Sequence, residues 1–225
     1  MLLVSGKVLF AGGFANNEYL ASAELYDAAT GAFEKTGSLT AGVAHQSAAR
    51  LLDGRVLVVA GCGSATTSGY FATAQVYDPQ RGRFEETGGL AQEACCNTAV
   101  TLRNGKVLVA GGDYGKGRLA SAQLFDPATG KFEKTGSLSR PNSSYSATVL
   151  PDGKVLIAGG WDGEPLDTME IYDPKKGTFR TVGRLGEPRA GHTATLLADG
   201  RVLFTGGQNH RGVLASASVY RLATR

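Results

Sequence analysis

The sequence GKVLVAGG, residues 105–112, decides the fold because the chain repeats it. Related segments start 48, 51, 48 and 47 residues apart along the chain: GKVLFAGG at 6–13, GRVLVVAG at 54–61, GKVLIAGG at 153–160 and GRVLFTGG at 200–207. A period of this length is typical of repeat architectures, in which no unit buries its apolar face alone. The sequence therefore predicts one domain over residues 1–225, built from five repeats: 1–44, 45–94, 95–143, 144–190 and 191–225.

Each repeat reads as four short β-strands, called a to d. In the second repeat the predicted strands are 47–52, 56–61, 75–78 and 84–87. Asp53-Gly54 between a and b supplies the positive φ angles of a two-residue hairpin turn, and Gly82 serves the turn between c and d. Strand b is apolar on both faces, as in an inner strand covered on two sides. This pattern predicts antiparallel four-stranded sheets packed radially.

Composition narrows the classes of protein. The chain has 225 residues, 32 of them Gly, with 42% hydrophobic and 19% charged residues and a net charge of +3. This glycine content is about twice the usual 7%, which disfavours a helical protein. The small basic surplus forms no block of like charges, and no apolar run approaches the roughly 20 residues of a membrane helix. We therefore expect neither a nucleic acid nor a membrane as partner.

The repeats resemble the kelch repeats of β-propellers, and those of bacterial proteins in particular. The residues that carry the resemblance are the glycine pair after strand b, an aromatic residue in strand c and another in strand d. Their positions are Gly12-Gly13, Gly111-Gly112, Gly159-Gly160 and Gly206-Gly207; Tyr26, Tyr77, Phe125, Tyr172 and Tyr220; and Phe33, Phe84, Phe132 and Phe179. Kelch proteins usually carry Trp in strand d. In the second repeat, Gly61-Cys62 is taken to replace the pair, so that the second position accepts a side chain.

The resemblance implies an all-β kelch-type propeller of five antiparallel four-stranded blades, with the first and fifth blades incomplete. The chain opens inside strand a of the first repeat and stops after strand c of the fifth. We expect a five-bladed propeller with one thin blade, and a fragment of a larger propeller is the alternative. No targeting segment is recognised, so the compartment stays open, although a secreted or cell-surface location would agree with the family.

Function is predicted on one rim of the propeller. Antiparallel strand order places the stereotyped a–b and c–d turns on one rim and all irregular loops on the other, here called the loop rim. It comprises the b–c loops at 14–21, 62–71, 113–120, 161–167 and 208–215 and the d–a loops near 43, 94, 142 and 190. Aromatic side chains gather there and offer large contact areas at low entropic cost. Tyr70, Tyr114 and Trp161 are therefore predicted to contact a ligand.

A second group of predicted ligand-binding residues surrounds the mouth of the central channel. Alignment of the repeats places Gln46, Asn97, Tyr145 and His192 at equivalent positions at the start of strand a. Arg140 and Arg189 occupy the preceding d–a loops. Such side chains could bind a polar ligand such as a sugar or a peptide. The alternative is that each one satisfies its own strand end.

The cysteines form a further cluster in the second sector. Cys62, Cys95, Cys96 and His45 converge there and are weak candidates for zinc or copper ligands, because their spacing matches no CxxC-type site. A disulfide from Cys62 to Cys95 or Cys96, or unpaired buried thiols, are the other interpretations. We therefore predict no metal and no cofactor.

The leading hypothesis is a non-enzymatic binding module that presents its loop rim and channel mouth to a protein, peptide or glycan. The first alternative is an enzyme: an isomerase or lyase acting on a small carbohydrate in the channel, or a copper oxidase resembling galactose oxidase. The copper ligands of that enzyme do not transfer, because His45 and His192 lie on different repeats and no tyrosine accompanies both. The second alternative is a fragment or engineered scaffold without activity. Self-association through the incomplete terminal blades is a further hypothesis.

Overall fold

The computed structural model describes residues 1–64 and 69–221 and confirms an all-β propeller with five successive blades. Blades 2, 3 and 4 are four-stranded sheets, whereas blades 1 and 5 have three main strands each. In chain order the strands are β1 (Val8–Ala11), β2 (Phe14–Ala15), β3 (Glu18–Tyr19), β4 (Ala23–Asp27), β5 (Ala32–Lys35), β6 (Ser47–Arg50), β7 (Val56–Cys62), β8 (Tyr70–Asp78), β9 (Arg83–Glu86), β10 (Thr98–Thr101), β11 (Val107–Ala110), β12 (Ala122–Asp126), β13 (Lys131–Lys134), β14 (Ser146–Val149), β15 (Val155–Ala158), β16 (Thr168–Asp173), β17 (Thr178–Arg184), β18 (Thr193–Leu196), β19 (Val202–Thr205), β20 (Gln208–Asn209), β21 (Gly212–Val213) and β22 (Ala217–Tyr220). A search of the described residues finds no helix with the length and apolar character needed to cross a bilayer.

The turns that join these strands use the predicted chemistry. In blade 4, Gly153 has φ 84° and the amide of Lys154 donates to the carboxylate of Asp152 at 3.0 Å. In the c–d turn of blade 3, the amide of Ala128 donates to Asp126 at 3.0 Å. These side chains satisfy turn amides locally, so each hairpin closes without help from other blades.

The apolar core lies between blades rather than inside them. One cluster of buried side chains fills each of the four interfaces between successive blades. Strands β7, β11 and β15 are therefore buried on both faces over their apolar residues, whereas β1 and β19 alternate between more and less buried residues. In the part of the chain that the structure describes, the terminal blades thus pack on one side only.

The glycine pair after strand b fits closely against the next blade. Gly111 has φ 59°, and a Cβ there would lie 2.9 Å from the ring of Tyr145 in blade 4. In blade 2 the corresponding pair is Ala60-Gly61, with φ 58° and 123°. The assignment of Gly61-Cys62 as the variant pair was therefore wrong. Alanine therefore occupies the first position of the pair in blade 2.

Two features of the terminal blades lie outside the predicted pattern. The b–c loops of blades 1 and 5 form small hairpins, β2–β3 and β20–β21. In the first of them, Asn16 and Asn17 adopt positive φ angles of 53° and 61°, which asparagine tolerates better than most residues. Residues 65–68 of the predicted blade 2 loop and 222–225 of the fifth repeat lie outside the described residues.

Candidate functional site

Backbone hydrogen bonds link the residues that precede strand a in blades 2 to 5. The amide of Cys96 donates to the carbonyl of His45 at 3.1 Å, that of Ser144 to Cys96 at 3.3 Å, and that of Gly191 to Ser144 at 2.8 Å. All four residues have φ between 54° and 63°. Non-glycine residues in this conformation often mark functional sites. Sequence patterns do not predict this turn, because glycine occupies the position only in blade 5.

The predicted channel-mouth residues lie at equivalent positions and link neighbouring blades. Gln46 Nε2 donates to Ala11 O at 2.5 Å and the Tyr145 hydroxyl donates to Ala110 O, in each case a carbonyl of the preceding blade.

The other two bond to strand a of the preceding blade. Asn97 Oδ1 accepts from Ser47 Oγ at 2.7 Å, and His192 Nε2 lies 2.9 Å from Ser146 Oγ. Asn97, Tyr145 and His192 are buried, and only Gln46 is half-buried. The structure therefore places this set at the blade interfaces, and its ligand contact stays a prediction that suits Gln46 best.

His192 and Ser146 form the pair closest to a catalytic dyad in this region. Burial, and to a smaller extent the charge of Arg189, lowers the pKa of His192 to about 4. Among the described residues, His192 Nδ1 has no hydrogen-bond partner. An imidazole that is so weakly basic and that no carboxylate orients is a poor general base at neutral pH. The pair therefore reads as a link between blades 4 and 5.

The two predicted arginines have different surroundings. Arg189 is 2% exposed, and its guanidinium donates to Gly206 O at 2.8 Å and to Ser216 Oγ at 3.1 Å. This burial gives Arg189 a structural role in blade 5, and its contact with a ligand stays a prediction. Arg140 is half-buried on the loop rim, where it donates to Asp162 Oδ2 at 3.0 Å. It therefore remains accessible to a ligand.

The predicted aromatic residues lie on three successive blades of the loop rim. Tyr70, Tyr114 and Trp161 are each half-buried. The ring of Tyr70 packs over Gly115 of the next blade, where an added Cβ would lie 2.7 Å from a ring carbon. Burial, followed by the charge of Asp113, raises the pKa of Tyr70. These three residues are here called the belt, and each is partly open to solvent.

Charged pairs accompany this belt. Arg118 Nε lies 3.3 Å from Asp113 Oδ2 in the loop that carries Tyr114, and the pair of Arg140 with Asp162 flanks Trp161. The ring of Trp161 also lies 6.3 Å from that of His210 in blade 5. The loop rim therefore combines flat apolar faces with donors and acceptors held in fixed positions.

The cysteine sector contains a disulfide. Cys62 is bonded to Cys95, which ties the b–c loop of blade 2 to the d–a loop that leads into blade 3. Cys96 is a free thiol with its Sγ 3.6 Å from that of Cys95, and burial raises its pKa. The residues with described positions contain no cluster of three or more His, Cys, Asp or Glu suited to a metal. A sulfur bonded in a disulfide offers no thiolate, so Cys62 and Cys95 are unsuited to hold a metal in this state.

A groove of about 600 Å³ lies on the opposite rim, between the first two blades. Charged residues at its edge already pair with each other: Arg55 lies 2.7 Å from Asp53, and Lys7 bonds to Glu34. We therefore do not assign a ligand to this groove.

Five radially packed blades with a loop rim define the chain as a β-propeller. The kelch motif profile matches residues 94–139 and 143–186, which are the repeats of blades 3 and 4. A solved structure titled "Structure of YjhT" superposes with a TM-score of 0.82 at 14% identity, covering 98% of this chain and 80% of that one. None of the curated proteins matches the sequence. The chain is a β-propeller with the kelch motif in blades 3 and 4, as the repeated motif indicated.

Proposed function

We propose that the protein is a non-enzymatic binding module that holds its ligand on the loop rim. The kelch propeller fold supports a generic interaction module. The observation that carries the proposal is the belt of Tyr70, Tyr114 and Trp161, which places one half-buried ring on each of three successive blades. Isolated rings would need no explanation, whereas a row of rings on one rim favours recognition.

Among proteins, peptides and glycans, the rim favours a glycan. Each of the last two rings has an arginine–aspartate pair beside it, Arg118–Asp113 next to Tyr114 and Arg140–Asp162 next to Trp161. A sugar has an apolar face that can lie on an aromatic ring and hydroxyls that both donate and accept hydrogen bonds. Ligand sites generally combine aromatic walls with a few fixed polar groups in this way.

Trp161 is the only tryptophan of the chain, so its fluorescence reports on the rim directly. The experiment screens oligosaccharides and peptides on arrays and titrates the hits while Trp161 emission is recorded. We expect saturable binding of an oligosaccharide, weakened roughly tenfold by Tyr114→Ala.

The matched control is Leu52→Ala, which removes a 72% exposed apolar side chain from a turn on the opposite rim. This variant should bind as the unaltered protein does. Equal weakening by Leu52→Ala would contradict the assignment to the loop rim. Peptide hits without glycan hits would overturn the ligand class, and conversion of the bound sugar to a product would overturn the non-enzymatic role.

A further inference from the structure

The interfaces between blades contain a repeated latch made by the Thr-Gly-x-Leu sequence after strand d. Where blade 1 meets blade 2, Thr36 Oγ1 lies 2.7 Å from the hydroxyl of Tyr77, and the amide of Gly37 donates to Gly82 O at 2.8 Å. The amide of Thr40 then donates to the side chain of Gln75 at 3.1 Å. A short segment of one blade thus forms hydrogen bonds with three polar groups of the next blade.

The same latch recurs where blade 3 meets blade 4. Thr135 Oγ1 lies 2.8 Å from the Tyr172 hydroxyl, and the amide of Gly136 donates to Gly177 O at 2.8 Å. The amide and hydroxyl of Ser139 donate to the carboxylate of Glu170 at 3.1 Å and 2.6 Å. Between blades 2 and 3 the two amide bonds persist, although Phe125 stands in place of the tyrosine. The latch therefore recurs at three of the four interfaces between blades.

The receiving half of this latch is vacant on the outer face of blade 1. Its three groups are Glu24, Tyr26 and Gly31, which align with Gln75, Tyr77 and Gly82 of blade 2. Within residues 1–64 and 69–221, the structure gives no hydrogen-bond partner to the Glu24 carboxylate, the Tyr26 hydroxyl or the Gly31 carbonyl.

The apolar part of the receiving face is exposed as well. Phe10 is 51% exposed, whereas Val58 at the same position of blade 2 is 5% exposed. Phe33 is 57% exposed, although it stacks on Tyr26 with 4.8 Å between ring centroids, as Phe84 does on Tyr77. Between residues 1–40 and 190–221, both described, the structure records no hydrogen bond or ion pair. The described residues of blade 5 therefore do not supply the missing half.

We propose that the outer face of blade 1 binds an extended Thr-Gly-x-Leu segment of a partner polypeptide, in the geometry of the inner interfaces. The threonine would bond to Tyr26, the glycine amide to Gly31 O, and the amide after the leucine to Glu24. The leucine would enter the apolar surface beside Phe10, as Leu39 is buried against blade 2. This surface is separate from the loop rim.

The glycine gives the recognition its selectivity. A Cβ at Gly37 would lie 2.5 Å from Gly82 O and 2.9 Å from the Cα of Arg83. Backbone atoms cannot move aside as a flexible side chain would, so the receiving face excludes alanine at this position. The proposed partner segment is thus defined by three residues at fixed spacing: a threonine that supplies the hydroxyl, a glycine that has no Cβ, and a leucine.

The test measures anisotropy of a labelled peptide with the sequence KFEKTGSLSR, residues 131–140 of this chain, in titration with the whole protein. We expect saturable binding with a dissociation constant below about 1 mM, and roughly tenfold or greater loss when the peptide glycine becomes alanine. On the protein, Tyr26→Phe should weaken binding roughly three- to tenfold, since one hydrogen bond is lost. Glu24→Ala should also weaken it, and Glu24→Gln should restore it because Gln75 serves in blade 2.

The proposal would be overturned if the glycine peptide and its alanine variant bound equally well. It would also be overturned if no binding were seen at 1 mM peptide (roughly −4 kcal/mol). Self-association of the protein that the peptide does not displace would show that a second copy occupies the face, and this too would contradict the proposal. Leu52→Ala, distant from this face, is the control variant and should leave the affinity unchanged.

Discussion

The inner and terminal blades share one sequence pattern but differ in burial. Leu156 of blade 4 is fully buried against blade 5, whereas its counterpart Leu203 on the outer face of blade 5 is only half-buried. The same contrast separates Val58 from Phe10. A single blade of this protein therefore has no hydrophobic core of its own, because its apolar residues are buried only when a neighbouring blade covers each face. Stability in such an array comes from repeat interfaces as much as from the repeats.

The largest test of this contrast removes the two equivalent leucines. Leu156→Ala should lower the free energy of unfolding by about 2–5 kcal/mol, because it leaves a cavity in a filled interface. Leu203→Ala should cost less than about 1 kcal/mol, because water already reaches that face. Urea denaturation followed by circular dichroism measures both. Equal losses would mean that blade 5 is covered in solution.

The glycine pairs give a second comparison. Gly111 and Gly206 have similar φ angles, 59° and 65°, so alanine pays about the same backbone cost of 1–2 kcal/mol at either position. An added methyl at Gly111 also meets Asn142 O and the ring of Tyr145, whereas at Gly206 the nearest atom is 3.7 Å away. We expect Gly111→Ala to cost about 2–4 kcal/mol and Gly206→Ala about 1 kcal/mol, measured as above. A larger loss of stability at Gly206 than at Gly111 would contradict the conclusion that no blade covers the outer face of blade 5.

The link between blades 4 and 5 should respond to pH. The pKa of His192 is lowered from 6.5 to about 4. Between these two pH values the imidazole is therefore protonated in the unfolded chain and neutral in the folded chain. Its contribution to stability is therefore complete above pH 6.5 and falls as the pH drops toward 4, by about 2–3 kcal/mol. His192→Gln should remove this part of the acid dependence, whereas the exposed loop variant His210→Gln should keep it. An unchanged pH profile in His192→Gln would rule out the link as its source.

The fold followed from the sequence because the signals were local and repeated. Asp152-Gly153 closes its own hairpin, and five copies of strand b set the number of blades. The site was predictable only in part. Tyr114 and Trp161 lie on the loop rim as expected, because strand order alone decides the rim. The burial of Arg189 was not predictable, since no spacing in the sequence connects it to its partners Gly206 and Ser216.

The smallest expected change in stability comes from the tyrosine hydroxyl of the latch. Substitution can remove this hydroxyl in one blade and add it in another. Tyr172→Phe should cost about 1 kcal/mol, because Thr135 loses a part-buried partner at 2.8 Å. Tyr26→Phe should change stability by less than about 0.5 kcal/mol, because no described residue bonds to its hydroxyl. Phe125→Tyr restores the hydroxyl that blade 3 lacks beside Thr87, so it should add up to about 1 kcal/mol. Urea midpoints of the three variants decide the matter. A loss for Tyr26→Phe as large as that for Tyr172→Phe would mean that the outer face of blade 1 is already occupied in solution.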